Sequence, residues 1–278
     1  MENLPRIQRE KDIRALPDLG FGKPVAVIGA APIARETFEI LSELKATTVC
    51  CDKALPKILE HYRPAFVTAL NTQKTKDVEL EKWFEDSEGM GLIVPVTVHP
   101  DTVKLWKGEV YWMNPTNVDD DLVVRFEQET AIPRWARGLN VGEFSLNMAA
   151  FMRPAEITMF GMWYAWTKRE DVFDETDDVN NYDVVELVEH GETWYSNLTW
   201  LQGRASLMTF CKQYHTQGID IFNASEGGIL YHPEFCKRIR PLDFRDRWLD
   251  IGSDVKDKKM ESQPVPIRST TEFEYGGD

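Results

Sequence analysis

The chain has 278 residues, which suits one large α/β domain or one domain with a modest second lobe. Hydrophobic residues make up 42% and charged residues 28%, a globular composition able to bury a sizeable core. The formal net charge of −14 argues against broad contact with phosphate backbones or anionic membrane.

The chain opens Met-Glu-Asn-Leu-Pro and continues with mixed charges, without the apolar segment of a signal peptide. No run approaches the roughly 18 apolar residues that span a bilayer. A cytoplasmic protein with no membrane partner is expected. Cys50 and Cys51 are adjacent while Cys211 and Cys236 lie far away, which is neither a disulfide framework nor a zinc spacing. Reduced, buried thiols are expected, and the sequons at Asn197 and Asn223 are then chance matches.

In chain order, residues 1–22 are polar and Pro-punctuated and predict an arm or one short helix. Pro24–Gly29 is a short β-branched run stopped by glycine, as in a buried parallel strand. Ile33, Phe38, Ile40, Leu41 and Leu44 share one face of a helix over 33–44. Thr47–Cys51 predicts a second strand ended by Asp52, Lys53–Tyr62 a second helix, and Ala65–Leu70 a third strand. Further strands are expected at Gly91–Val98 and Glu109–Met113, with a short helix over Pro100–Trp106 between them. Residues 114–138 give no clear pattern. A helix over Gly142–Met152 leads into the strand Glu156–Phe160. Glu170–Asp183 is strongly acidic and is expected to form a solvated loop or lid. Ser196–Gln217 is the longest helical stretch, followed by the strand Ile219–Phe222. From Gly252 onward a polar tail is expected. Strands alternating with helices predict a Rossmann-like, doubly wound, mostly parallel α/β sheet with helices on both faces. The domain then spans 23–251, between an arm (1–22) and a tail (252–278).

Three places in this frame could carry chemistry. The turn Gly29-Ala-Ala-Pro32 joins a strand to a helix, and such a turn aims backbone N–H groups and a helix N-terminus at one point, as a phosphate requires. Ala30 and Ala31 are small enough for close approach. Asp52 ends the second strand, where a carboxylate can accept from a ribose hydroxyl or cap the helix that follows. Asn223-Ala-Ser-Glu-Gly-Gly228 follows a strand directly: Asn223, Ser225 and Glu226 offer donors and acceptors, and Gly227 and Gly228 give backbone freedom. Tryptophans gather at Met162–Trp166 and Trp194–Trp200; core packing accounts for most of them, and such faces also suit a sugar or base.

Pro24–Pro32, the Asp52 segment, Gly142–Tyr164 and Asn223–Gly228 follow the order and spacing of one family. The chain resembles the 6-hydroxymethylpterin diphosphokinase (MptE-like) group, which includes the central domain of flagellar motility-associated factors. Those factors in turn resemble the bacterial sialyltransferases of glycosyltransferase family 42. The resemblance spans residues 23–232 and is most specific at Asn223–Gly228, where the family reads Asn-Ala-Thr-Glu-Gly-Gly. Three positions depart from it. In the family's Gly-x-Gly-Pro-Ser turn, Ala31 and Ile33 replace the second glycine and the serine. Thr68-Ala-Leu-Asn71 carries Asn71 where an aspartate is common, and Gly161-Met-Trp163 stands for Gly-x-Asp.

An ATP-dependent diphosphokinase needs Mg²⁺ held by carboxylates, so these two losses withdraw support from that activity and no metal ligands are expected. Transfer from a nucleotide sugar can run without metal if hydroxyls and backbone dipoles stabilise the leaving phosphate. The related sialyltransferases imply tyrosine at the phosphate and histidine as base, and Tyr164 and His190 stand in comparable order here. His99, before Pro100 at a strand end, is the second candidate base; a solvent-facing imidazole is the plainer reading of either. The expected function is therefore a metal-independent nucleotide-sugar glycosyltransferase with no tightly bound cofactor. Its nucleotide would lie over Gly29, Ala30, Ala31, Asp52, Asn71, Gly161 and Asn223–Gly228. The acceptor would be a glycan, protein, small molecule or modified DNA base. The alternatives are an ATP- and Mg²⁺-dependent diphosphokinase acting on a pterin-like alcohol, and a non-catalytic nucleotide-binding or interaction module.

Overall fold

The computed structural model describes residues 3–70, 78–116, 121–132, 134–136, 138–169, 184–189 and 191–254. The fold is the expected α/β class. Strands β1 (Lys11–Asp12), β2 (Pro24–Ile28), β3 (Thr47–Cys51), β4 (Phe66–Thr68), β5 (Gly91–Pro95), β6 (Glu109–Pro115), β7 (Arg134–Trp135), β8 (Glu156–Phe160), β11 (Asp220–Asn223) and β12 (Lys237–Arg238) form one ten-stranded sheet. Its order is β1-β6-β5-β4-β3-β2-β8-β11-β12, with β7 also on β6, and the strand pairs are parallel. From β2 the chain steps outward through β3 to β6, then returns to add β8 and β11 on the other side of β2. The order therefore reverses between β2 and β8, and in such sheets the crevice beyond the strand carboxyl ends at that point takes ligands.

Strand periodicity builds two cores. Val25 and Val27 face the side covered by α8 (Val141–Phe151) and α9 (Leu198–Thr216), among Phe144, Met148, Leu207 and Cys211. Ala26 and Ile28 face the other side, against Phe38 and Leu41 of α3 (Arg35–Glu43) and Phe244 of α10 (Pro241–Asp254). A strand buried on both faces needs an unbroken apolar run, which Pro24–Ile28 supplies. A third cluster packs Val67, Leu92, Val94 and Trp112 against Phe84 and Trp106.

Several expectations need correction. The first 22 residues do not form an arm: within the described part, α1 (Leu4–Ile7), β1, a 3₁₀ turn (Ile13–Ala15) and α2 (Pro17–Gly20) are docked on the sheet edge. Burial of Ile7, Ile13 and Leu16 drives this, and Trp112 Nε1 donates to Glu10 at 2.9 Å. In place of one helix over Lys53–Tyr62 there is a 3₁₀ turn (Asp52–Ala54) and the single turn α4 (Leu55–Ile58). Residues 114–138 contribute α7 (Asp121–Thr130) and β7, after α5 (Val78–Glu85) and α6 (Pro100–Leu105). An antiparallel hairpin, β9 (Val184–Glu189) and β10 (Glu192–Asn197), precedes α9. The acidic segment Glu170–Asp183 and the tail from residue 255 lie outside the described residues.

All four cysteines are buried thiols. Burial pushes Cys50 well above the ordinary thiol range and Cys51 up to about 12, with the Asp52 charge adding to both. The sequon asparagines Asn197 and Asn223 are also buried. Among the described residues no helix is long and apolar enough to cross a membrane.

Candidate functional site

At the switch point two turns lock together through their backbones. The Gly29 N–H donates to the Phe160 carbonyl at 2.8 Å and the Ala31 N–H to the Gly161 carbonyl at 3.1 Å. A Cβ on Gly29 would stand 2.3 Å from the Gly161 oxygen. Gly161 has φ +62°, and a Cβ there would meet the Gly29 and Ala31 oxygens at 2.9 Å. Both glycines are thus required by the other turn. The Ala31 amide, expected to face a phosphate, is spent on Gly161.

The loop from Asn223 to Gly228 closes the crevice from the β11 side. Asn223 Nδ2 donates to the Leu230 carbonyl at 2.7 Å, and its Oδ1 accepts from the Ser225 N–H at 3.0 Å. Ser225 Oγ accepts from the Met162 N–H at 2.9 Å, which ties this loop to the one after β8. Gly227 and Gly228 lie against Trp163, which fills the space their side chains would need. Glu226 alone of this loop projects outward, and its carboxylate accepts from the Ala34 N–H at 3.2 Å. Ala34 is the N-cap of α3 and has no side chain able to cap; Glu226 reaches from across the crevice to the main-chain N–H of this N-cap residue, as the reach-back acceptor of a capping box does.

Under the first turn lies a cavity of about 310 Å³, the size of a small-ligand pocket. Gly29–Ile33 form one wall, Arg35 and Phe38 come from α3, and Ala54, Lys57, Ile58 and His61 come from the segment after β3. Lys57 Nζ donates to the Ala30 carbonyl at 2.8 Å, and the Phe38 and His61 rings stack at 5.9 Å. Arg35, Lys57 and His61 are the titratable residues of the lining, so this cavity is basic in a strongly acidic protein. Sequence reasoning missed these three. Lys57 and His61 are spaced four apart after Asp52, which could have placed them on one face beside the crevice.

Other expected residues are placed differently. Asp52 is 2% exposed and opens the 3₁₀ turn, its Oδ1 accepting from the Lys53 N–H at 2.8 Å. The local-turn role is the one the structure displays, and the side chain is turned inward. Trp163 takes the place of the family's acid and packs on Gly227. Tyr164 is turned away from the role of phosphate contact. It is buried, with φ +58°, and its hydroxyl makes no well-formed hydrogen bond. Burial, then the nearby Glu143 charge, pushes its phenol well above the usual range. His99 caps α6, its Nδ1 accepting from the Asp101 N–H at 3.2 Å. It follows β5, three strands from β2, or roughly 14 Å at the usual strand spacing. Its ring nitrogen is committed and its strand is remote, so the structure gives it no part in the crevice. Asn71 and His190 lie outside the described residues.

A buried polar cluster beside Tyr164 was also not foreseen. Glu143 of α8 accepts from the Leu139 N–H (2.9 Å), Asn140 Nδ2 (2.9 Å) and Ser206 Oγ (2.7 Å). Its carboxyl is pushed up by burial, against the lowering effect of the Leu139 and Ser206 hydrogen bonds.

Comparison with known proteins bears on the fold and the family. The chain superposes on the structure of the MAf glycosyltransferase from Magnetospirillum magneticum AMB-1 with a TM-score of 0.65 and 18% identity, covering 85% of this chain and 37% of that one. The two share a fold, and this chain spans little more than a third of that protein's length. No curated protein matches the chain. The pattern of the family described as 6-hydroxymethylpterin diphosphokinase MptE-like matches residues 1–169, more than half of the sequence. The chain therefore belongs to the MptE-like family.

Proposed function

We propose that the chain is a metal-independent glycosyltransferase that uses a nucleotide-sugar donor. The observation that carries this reading is the basic cavity under the Gly29–Ile33 turn, lined by Arg35, Lys57 and His61. It has the size and charge for the phosphate-bearing part of a nucleotide. The fold it shares with a protein described as a glycosyltransferase gives further support. In the reaction, the acceptor oxygen bonds to the anomeric carbon as the bond from that carbon to the donor phosphate breaks. The leaving phosphate keeps the electron pair, and the base takes the acceptor proton. His190 is the proposed base, on the strength of its order in the sequence.

The family's description favours a second reading, an ATP-dependent diphosphokinase. That chemistry calls for carboxylates to hold Mg²⁺. At the two family positions this chain offers Asn71 and an indole packed on Gly227, neither of which is a carboxylate donor. The residues present do not fit the cation there.

Thermal denaturation with a panel of nucleotide sugars and ATP, each with Mg²⁺ or with EDTA, separates the readings. Stabilisation by one nucleotide sugar that survives EDTA is expected. Stabilisation by ATP alone, lost in EDTA, would favour the diphosphokinase, and no response to any nucleotide would leave a non-catalytic module.

A further inference from the structure

Two features of the crevice deepen this reading and rest on it. A helix N-terminus is the usual seat of a phosphate in such folds, yet the Glu226 carboxylate already accepts the Ala34 amide of α3 at 3.2 Å. The Ala31 amide is likewise held by the Gly161 carbonyl at 3.1 Å. An incoming phosphate would therefore meet a carboxylate at the α3 terminus. On the other side of the same turn, the cavity presents Arg35, Lys57 and His61 and no acidic side chain in its lining. We infer that the phosphate of the bound nucleotide is held by the side chains of Arg35 and Lys57 in this cavity, and that Glu226, bonded to the Ala34 amide, keeps it away from the start of α3.

The assignment follows from charge and reach. Lys57 already extends over the turn to the Ala30 carbonyl at 2.8 Å, so its ammonium stands at the cavity wall. Arg35 is exposed and joined to Glu39 at 3.4 Å, a surface pair of small worth that a phosphate can displace. A guanidinium and an ammonium on opposite walls form a side-chain clamp for a dianion. Glu226 then stays on the Ala34 amide, and its negative charge repels the bound phosphate. Its removal should tighten binding, the opposite of what a ligand contact would do.

Calorimetric titration of the full chain tests this with nucleoside 5′-mono- and diphosphates, the matching nucleosides and pyrophosphate. For the best nucleotide, Lys57→Met and Arg35→Gln should each weaken binding about tenfold while the nucleoside changes less than about twofold. Glu226→Gln should tighten the nucleotide about threefold. Arg35 is exposed, so Arg35→Gln keeps the test valid if Lys57→Met perturbs the turn. The proposal is overturned if both variants leave the nucleotide unchanged, if Glu226→Gln weakens it as a lost contact would, or if no phosphate-bearing probe binds. Its failure is distinct from that of the transferase reading. Binding of ATP through Arg35 and Lys57 with every nucleotide sugar refused would keep the clamp and end the glycosyltransferase. Nucleotide-sugar binding indifferent to both variants would do the reverse.

Discussion

Gly228 and Trp163 occupy one another's space: a Cβ on Gly228 would lie 2.3 Å from both the Cα and the carbonyl oxygen of Trp163. Gly228 also has φ +90°, where an L side chain is strained. The contact is reinforced by the Ile229 N–H, which donates to the Trp163 carbonyl at 2.9 Å. Gly228→Ala therefore combines backbone strain with a clash that no rotamer relieves, and should cost about 3 kcal/mol or more. Urea denaturation measures the loss directly. If the proposed function holds, nucleotide binding should fall as well, because the loop that closes the crevice must move. A variant as stable as the parent would show that the two loops are not packed in this way.

Ser225 tests the same junction more gently. Its hydroxyl is the acceptor for the buried Met162 N–H. Ser225→Ala leaves that donor unpaired at a cost of about 1–3 kcal/mol, while Ser225→Thr keeps the oxygen and should recover most of it. Thr is also the residue the family pattern carries there. Equal losses in the two variants would mean that the hydrogen bond does not matter.

How far the site could be read in advance depended on whether its signals were local. Thr47–Cys51 and Glu156–Phe160 have the predicted bounds because each is a continuous buried run ended by a residue that cannot prolong it, Asp52 or Gly161. The convergence of Gly29, Gly161 and the Asn223 loop follows from strand order, and so it too was legible. What these residues do was not. The Gly29–Pro32 turn is expected to aim its amides at a phosphate, yet Gly29 makes room for Gly161, because the lack of a side chain does not say which neighbour needs the space. The Glu226–Ala34 contact joins residues 192 apart, and no short-range pattern reports it. The helix Lys53–Tyr62 breaks up because a 3₁₀ turn at Asp52–Ala54 leaves only one regular turn after it.

Residues 239–251 are expected inside the domain but without an assigned element, since Phe244 and Trp248 are thin apolar marks among Arg and Asp. In the fold Phe244 is fully buried and meets Phe160 edge-on at 5.2 Å. Arg247 lies 4.0 Å over the Phe222 ring and donates to the buried Glu156 at 2.7 and 3.0 Å. Phe244→Ala should cost about 3–5 kcal/mol. Arg247→Ala should cost about 3 kcal/mol, since it strands a buried carboxylate. Losses below about 1 kcal/mol in guanidinium melts would mean that α10 is an appendage rather than part of the domain.

Buried thiols make a prediction about chemistry. With the Cys51 thiol pushed up to about 12, the thiolate fraction at pH 8 is on the order of 10⁻⁴. Cys50 and Cys211 are displaced the same way, Cys50 chiefly by burial and Cys211 chiefly by its hydrogen bond to Cys236. Native protein should therefore resist a disulfide reagent such as DTNB and release four equivalents only in denaturant. Fast labelling of one thiol in the native state would show local opening at that site.

Glu143 predicts a pH dependence whose sign is fixed by its burial. The folded state raises its pKa above the ordinary 4.5, so between the unfolded and folded values the native protein binds more protons than the unfolded chain. The contribution of Glu143 to stability is then most favourable below the unfolded pKa. It declines as pH rises through the folded pKa, by about 1.4 kcal/mol for every tenfold difference in proton affinity between the folded and unfolded chain. Glu143→Gln removes the titration but keeps an acceptor for the Leu139 N–H and the Ser206 hydroxyl. Urea midpoints of parent and variant, measured from pH 4 to pH 8, should separate progressively in favour of the variant as pH rises. A gap that stays constant, or opens in favour of the parent, would mean that the three donors around Glu143 outweigh its desolvation. The carboxylate would then be a stabilising charge, and the hydroxyl of Tyr164 beside it would face a permanent anion at neutral pH.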